Sequence, residues 1–260
     1  MTEPDAPLAP VPPGTAIRRH RLSTRLWHWT NALCIFILIG SGLMIFNAHP
    51  QLYWGHYGAN FDQPWFRGAW VWGGNGRSPG WLTIPSGYDL ALARRWHLFF
   101  ALVFAFALLA FMVAGLVNRH FTRDLRFRRA ELAPAHIWHD IREHLAFRFH
   151  DPLRPAAFNV LQKASYVLAL FVLLPLVIFT GLAMSPGMNA AWPWLVELFG
   201  GRQSARSLHF IAMLGITGFV IVHLVLVILA GAWNEVRSMV TGVWVVPADE
   251  PPALAPEPAE

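Results

Sequence analysis

The amino-acid sequence predicts an all-α integral membrane protein, a bundle of four membrane-crossing helices. Composition is the first observation behind this. The 260 residues are 55% hydrophobic and only 13% charged, about half the charged share of an average soluble domain. Mean hydropathy is +0.40. Run length is the second. The segments 26–46, 91–117, 164–184 and 207–232 are apolar throughout, and each has the roughly 20 residues that a bilayer-crossing helix needs. Their only charges are Arg94 and Arg95, at the start of the second. The third is parity: four spans return both termini to one side.

Residues 1–16 are proline-rich and acidic and lack the basic start of a secretory signal. They read as a disordered tail, as do residues 247–260. Between them lies one membrane domain, 17–246. Its first helix starts near Arg18–Thr24 and ends at Asn47-Ala-His-Pro50. A long connection runs to about Tyr88 and carries Trp54, Trp65, Trp70, Trp72 and Trp81. Tryptophan favours the membrane–water interface, and aperiodic connections of this length are often functional. A compact cap that docks a partner and simple interfacial packing both fit it. The second span ends at Asn118. Residues 134–149 then set Ile137, Trp138, Ile141 and Leu145 on one helical face, as in a helix lying on the membrane surface. The third span contains Pro175, a local kink that a bundle tolerates, and stops at Pro186-Gly187. Residues 190–201, with Trp192, Trp194 and Leu195, read as an interfacial helix. After the fourth span, residues 233–246 continue it or lie along the surface. No internal repeat is evident.

Basic residues orient the spans. Arg18, Arg19, Arg21 and Arg25 precede the first, and eight arginines between 119 and 154 join the second to the third. The opposite side holds six. This imbalance assigns both termini and the second connection to the cytoplasmic side. The pI near 10.1 is then a topology signal, and no basic fold is left over to bind nucleic acid. The single cysteine, Cys34, lies inside the first span and excludes a disulfide within the chain.

Four histidines carry the chemistry. His209 and His223 lie fourteen residues apart in the fourth run, about 40° short of four helical turns and about 21 Å along the axis. They share one face at two depths. His28 lies a few residues into the first span, on the inner side. His97 lies early in the second, on the outer side. Depth pairs His28 with His223 and His97 with His209. A lone buried histidine often only satisfies a helix carbonyl. Two pairs at matched depths instead suit two bis-histidine hemes of the b type. No Cys-x-x-Cys-His is present for covalent heme attachment. Arg25, Arg94, Arg95 and Arg206 stand near these histidines, to pair heme propionates or to snorkel. Gly40, Gly42, Gly215 and Gly218 leave room for a macrocycle or for close helix packing. His136 and His139 are one turn apart, but no carboxylate or cysteine completes a metal site there.

The phrases Arg-Leu-Trp-His28-Trp, Arg-Arg-Trp-His97, Leu-His209 and Val-His223 resemble the four-helix di-heme cytochrome b subunits of nickel–iron hydrogenases, formate dehydrogenases and thiosulfate reductases. The stretches from Gly42 to Trp54, Ile84 to Asp89 and Thr180 to Gly187 look most like the thiosulfate reductase branch. The resemblance covers about Arg18 to Val246. It implies a membrane-anchoring subunit that moves electrons between the quinone pool and an extracytoplasmic redox partner, a molybdenum oxidoreductase for that branch. It also implies a quinone site near the inner heme, where related subunits carry Asn-x-Gly-Gln. Asn159 and Gln162 match that pattern, and Leu161 stands where the glycine would be. Position alone also allows Asn159 as a helix N-cap. Two rival functions stay open on the residues: a stand-alone transmembrane reductase of metal ions or small molecules, and a heme-free histidine-lined transporter. The spans lack the acidic residues that proton relays use.

Overall fold

The computed structural model describes residues 11–59, 61–119, 121–122, 125–145 and 159–247. His120, Arg123, His150, Arg148, Arg154, the His144 side chain, most of both tails and residues 146–149 of the surface helix lie outside that set.

Four helices are long and apolar enough to cross a membrane: α1 (Leu22–Phe46), α3 (Leu90–Val117), α5 (Val160–Met184) and α8 (Arg202–Leu229). Between them lie strands β2 (Gln51–Leu52) and β3 (Phe66–Arg67), and the helices α2 (Ala69–Trp72), α4 (Pro134–Leu145), α6 (Pro186–Ala191) and α7 (Pro193–Leu198). β1 (Ala16–Arg18) opens the described chain, and α9 (Ala232–Thr241) and β4 (Val243–Val245) close it. The chain divides into two compact units, 1–26 with 114–166 and 222–260, and 27–113 with 167–221.

Burial in the second unit follows helical period although polarity does not. On α3, Ala93, Phe104, Leu108 and Phe111 are buried, while Leu98, Leu102, Phe106, Leu109 and Val113 are exposed. Both stripes are apolar because one faces protein and the other faces lipid. His97 lies one turn beyond Ala93, on the buried stripe. On α8 the stripe is Ala205, Ala212 and Ile216, and His209 falls within it. Trp27 of α1 stacks on Phe111 of α3, with ring centres 4.2 Å apart.

The third span departs from a regular helix where the sequence marks it. Pro175 has no N–H to give to the preceding turn and its ring crowds the carbonyl there. The chain answers with a π-helical turn, Ala169–Leu173, just before it, a common way of absorbing such a break. Leu173 then packs against Gly215 of α8, where an added Cβ would come within 3.1 Å.

The connection 47–89 is a built cap. Asn47, at the end of α1, gives its amide to the Ser78 carbonyl and takes the Ser78 N–H, at 3.2 and 2.7 Å. The Gly55 carbonyl accepts the amides of Gln203 and Ser204 at the start of α8, satisfying donors a helix leaves open. Gly201 makes this possible: its φ is +105°, and a Cβ there would sit 2.6 Å from Gly55 backbone. Ala183, Leu195, Val196 and Ala205 form an apolar cluster joining α5, α7 and α8.

In the first unit, β1 pairs antiparallel with β4, Ala16 opposite Val245. Gly14 also donates to the Val246 carbonyl, so residues 14–16, on the tail side of the boundary drawn at 17, join this pairing. Trp244, 1% exposed, donates to Glu235, which also binds Arg19. The fourth span ends at Leu229, earlier than the apolar run, because Gly231 adopts φ +97° and starts the separate helix α9.

Candidate functional site

His97 and His209 are brought together. Their ring centres are 6.2 Å apart and their planes differ by 60°. Two imidazoles on opposite sides of one iron would have centres about 6.4 Å apart, from metal–nitrogen bonds of about 2.0 Å and about 1.2 Å from nitrogen to ring centre. The separation fits a shared iron.

A hydroxyl on another span holds each ring. The Ser41 Oγ of α1 lies 3.0 Å from His97 Nδ1, and the Thr180 Oγ1 of α5 lies 3.1 Å from His209 Nδ1. Each hydroxyl gives its own hydrogen to the carbonyl one turn back, Ser41 to Ile37 at 2.7 Å and Thr180 to Leu176 at 2.6 Å. Toward the ring each oxygen is therefore an acceptor, and the matching donor is Nδ1–H. With the proton on Nδ1, the Nε2 lone pair is left for a metal.

A glycine follows each hydroxyl residue. A Cβ on Gly42 would meet His97 Cε1 at 3.3 Å, and one on Gly181 would meet His209 Cε1 at 3.4 Å. Each imidazole thus rests on helix backbone. Ser41-Gly42-Leu43 and Thr180-Gly181-Leu182 are local equivalents. Ser41, Thr180 and Gly181 were not singled out from sequence, although this shared phrase was the available signal. Of the other glycines, Gly40 packs against Ile84, Gly215 against Leu173, and Gly218 faces open space.

The arginines near these histidines differ in what they meet. Arg206 donates to the backbone carbonyls of His49 and Gln51 and lies over the Phe46 ring. It fastens the cap to α8. Arg25 donates to the Val240 carbonyl. Arg94 and Arg95 are exposed. Burial first, then the Arg206 charge, lowers the His49 imidazole below its usual range.

His28 and His223 fall in different compact units, and their pairing rests on depth along the helices. His28 meets Trp29 edge to face at 5.2 Å. Beside it on α1, Trp27 Nε1 and Asn31 Oδ1 are buried with no hydrogen-bond partner among the described residues. His223 lies on the less exposed side of α8.

Asn159 and Gln162 form a reciprocal capping box at the start of α5. Asn159 Oδ1 accepts the Gln162 N–H at 2.9 Å, and Gln162 Oε1 accepts the Asn159 N–H at 3.3 Å. Both oxygens are committed to backbone. Next to them Lys163, the only lysine of the chain, is buried and binds both oxygens of Glu131 at 2.8 Å. Asp140 of α4 accepts the Val160 N–H at 3.1 Å. Burial opposes ionisation of Glu131, but hydrogen bonds from Lys163 and the Arg128 amide, with the charges of both residues, outweigh it. The carboxyl is held below the usual carboxylate range. Among the described residues no group of three or more His, Cys, Asp and Glu assembles, and His136 instead approaches Asp140 at 3.9 Å.

Residues 19–242 match the family model described as prokaryotic cytochrome b561. A putative protein-methionine-sulfoxide reductase subunit, YedZ1, of Azospira oryzae is 27% identical over 79% of this chain and 87% of its own. A probable Ni/Fe-hydrogenase B-type cytochrome subunit of Cupriavidus necator is 27% identical over 84% of this chain and 82% of its own. The corresponding subunit of Azotobacter vinelandii is 24% identical over 92% of both chains. No solved structure matches the chain.

Proposed function

The chain belongs to the prokaryotic cytochrome b561 family, and on that premise we propose that it is a di-heme membrane subunit. It moves electrons between the quinone pool and an extracytoplasmic redox partner. The family implies b-type heme and a multi-pass membrane protein with an electron-transfer role. His97 and His209 are the axial ligands of the outer heme, and His28 and His223 those of the inner. Heme iron held by two imidazoles supplies reversible one-electron transfer with no open position for oxygen. The protein's part is to fix both rings, keep water out and set the charge around them.

One observation carries this reading: the His97–His209 pair, at the spacing of a shared iron, with each Nδ1 tied to a hydroxyl. The relatives from three organisms are each named as a subunit, which supports assembly with a redox enzyme. The partner we propose is a periplasmic molybdenum oxidoreductase, on the loop phrases shared with the thiosulfate reductase branch. The exposed tryptophans of the cap, among them Trp54, Trp70 and Trp81, would face it. The quinone site lies at the start of α5, beside Asn159 and Gln162. Both termini face the cytoplasm of a bacterial inner membrane. The pairing of β1 with β4 supports one side for the two ends, and the arginine imbalance supports the side chosen.

The test is heme stoichiometry. The purified chain is expected to hold two b hemes, both low-spin and both reduced by a quinol. His97→Ala or His209→Ala should remove one, and His28→Ala or His223→Ala the other. Colourless protein from porphyrin-replete cells would overturn the reading.

A further inference from the structure

We infer that Ser41 and Thr180 are positioning residues that set the ligand character of the outer axial pair, an inference that rests on the heme reading above. Each hydroxyl spends its hydrogen on its own helix, on Ile37 and Leu176, and so presents only a lone pair to Nδ1. This has two consequences. The first is the tautomer: Nδ1 must carry the proton, so Nε2 must be the metal-binding atom. The second is electronic. Second-shell acceptors raise the basicity of a ligating imidazole, and a neutral hydroxyl does so less than a carboxylate. A histidine tied in this way stabilises ferric iron mildly, which leaves the outer heme easily reduced from the quinone side.

The duplication argues that this is a device. Ser41 and Thr180 are both fully buried, lie on different spans, and contact different histidines at 3.0 and 3.1 Å. Each is followed by the glycine on which its own histidine rests, Gly42 under His97 and Gly181 under His209. A hydroxyl satisfying only its own helix would have no reason to meet a histidine Nδ1 twice. In each pair the hydroxyl and the glycine backbone meet the same Nδ1–Cε1 edge of the ring, so that edge is held and Nε2 points away from it.

The test uses the full chain in detergent, with heme content, optical redox titration and the electron paramagnetic resonance spectrum of the ferric low-spin hemes as readouts. Ser41→Ala and Thr180→Ala should each favour ferric over ferrous iron less, shifting the outer-heme equilibrium toward ferrous about threefold. The double variant should shift it about tenfold, equivalent to about 59 mV for one electron. The outer low-spin signal should move and the inner one stay. Ser41→Thr and Thr180→Ser keep the hydroxyl and should restore the parent values. If the alanine variants lose one heme outright while these exchanges retain both, the assignment also stands. An unmoved potential and spectrum in a fully loaded double alanine variant would overturn it. So would exchanges that shift the equilibrium as far as alanine, since size and not the hydroxyl would then matter. A parent protein without heme would instead sink the reading beneath it.

Discussion

Gly42→Ala is the sharpest test of the His97–His209 site. The new methyl carbon would lie 3.3 Å from His97 Cε1, inside the roughly 3.5–4.0 Å of a relaxed carbon contact. The imidazole must retreat by about 0.2–0.5 Å, whereas metal–ligand distances tolerate about 0.2 Å. Neither wall can absorb this freely, because Ser41 holds Nδ1 at 3.0 Å and His97 lies on the buried stripe of α3. Forcing a methyl group into packed protein costs about 1–3 kcal/mol, which is a fivefold to 150-fold loss in the equilibrium for holding the outer heme. Gly181→Ala has its contact at 3.4 Å and should fall toward the lower end. Gly187→Ala meets nothing within 4 Å and serves as the control. The assay is the rate and extent of heme loss to an excess of an apo-heme acceptor, with the two hemes resolved by their visible bands. Gly42→Ala retaining both hemes as firmly as Gly187→Ala would refute the placement of His97 as a ligand.

Other outcomes follow from the same contacts. Lys163→Met should destabilise the protein by about 3 kcal/mol, the low end for breaking a buried pair, because the Glu131 side chain keeps 20% exposure. Adding Glu131→Leu should recover most of that loss in thermal unfolding in detergent. Glu131 has a folded-state pKa below its unfolded one. Its contribution is therefore complete above the unfolded value, about 4.5, and disappears as pH falls through the lower folded value. Glu131→Gln should flatten the stability profile in that acid window. Arg206→Ala removes two charge-assisted bonds to the cap, at about 1.5–3 kcal/mol each before relaxation. It should speed proteolysis between residues 47 and 60 more than at any other site. His97→Ala should leave quinol reduction of the inner heme measurable.

How much of this was legible in the sequence depends on the range of the contacts involved. The four spans were legible because bilayer thickness turns composition and length directly into a helix count. Their ends were less so. Lys163 reads as a boundary charge, yet α5 starts at Val160, because Glu131 neutralises that lysine from a segment far away in the chain. The early end of α8 depends on the backbone of Gly231, which a run of apolar residues conceals. His97 and His209 could be paired from depth alone. Ser41 and Thr180 could not be singled out, since a hydroxyl inside an apolar run ordinarily bonds its own helix, and theirs do that as well. The π-helical turn before Pro175 was half legible: the proline marks the defect, and only packing decides its form. The role of Arg206 was illegible, because its acceptors are carbonyls that exist as a site only once the cap has folded.

The antiparallel pairing of β1 with β4 has a practical consequence. Hydrogen bonds run from Gly14 to Val246 and from Val246 back to Thr15, so the backbone is closed almost into a ring. A short peptide could bridge residues 14 and 246, and new ends could be opened between β2 and β3. Such a circular permutant would carry its termini in the cap. A fluorescent or affinity tag could then be placed on the cap, with α1 and its His28 now last in the polypeptide instead of first.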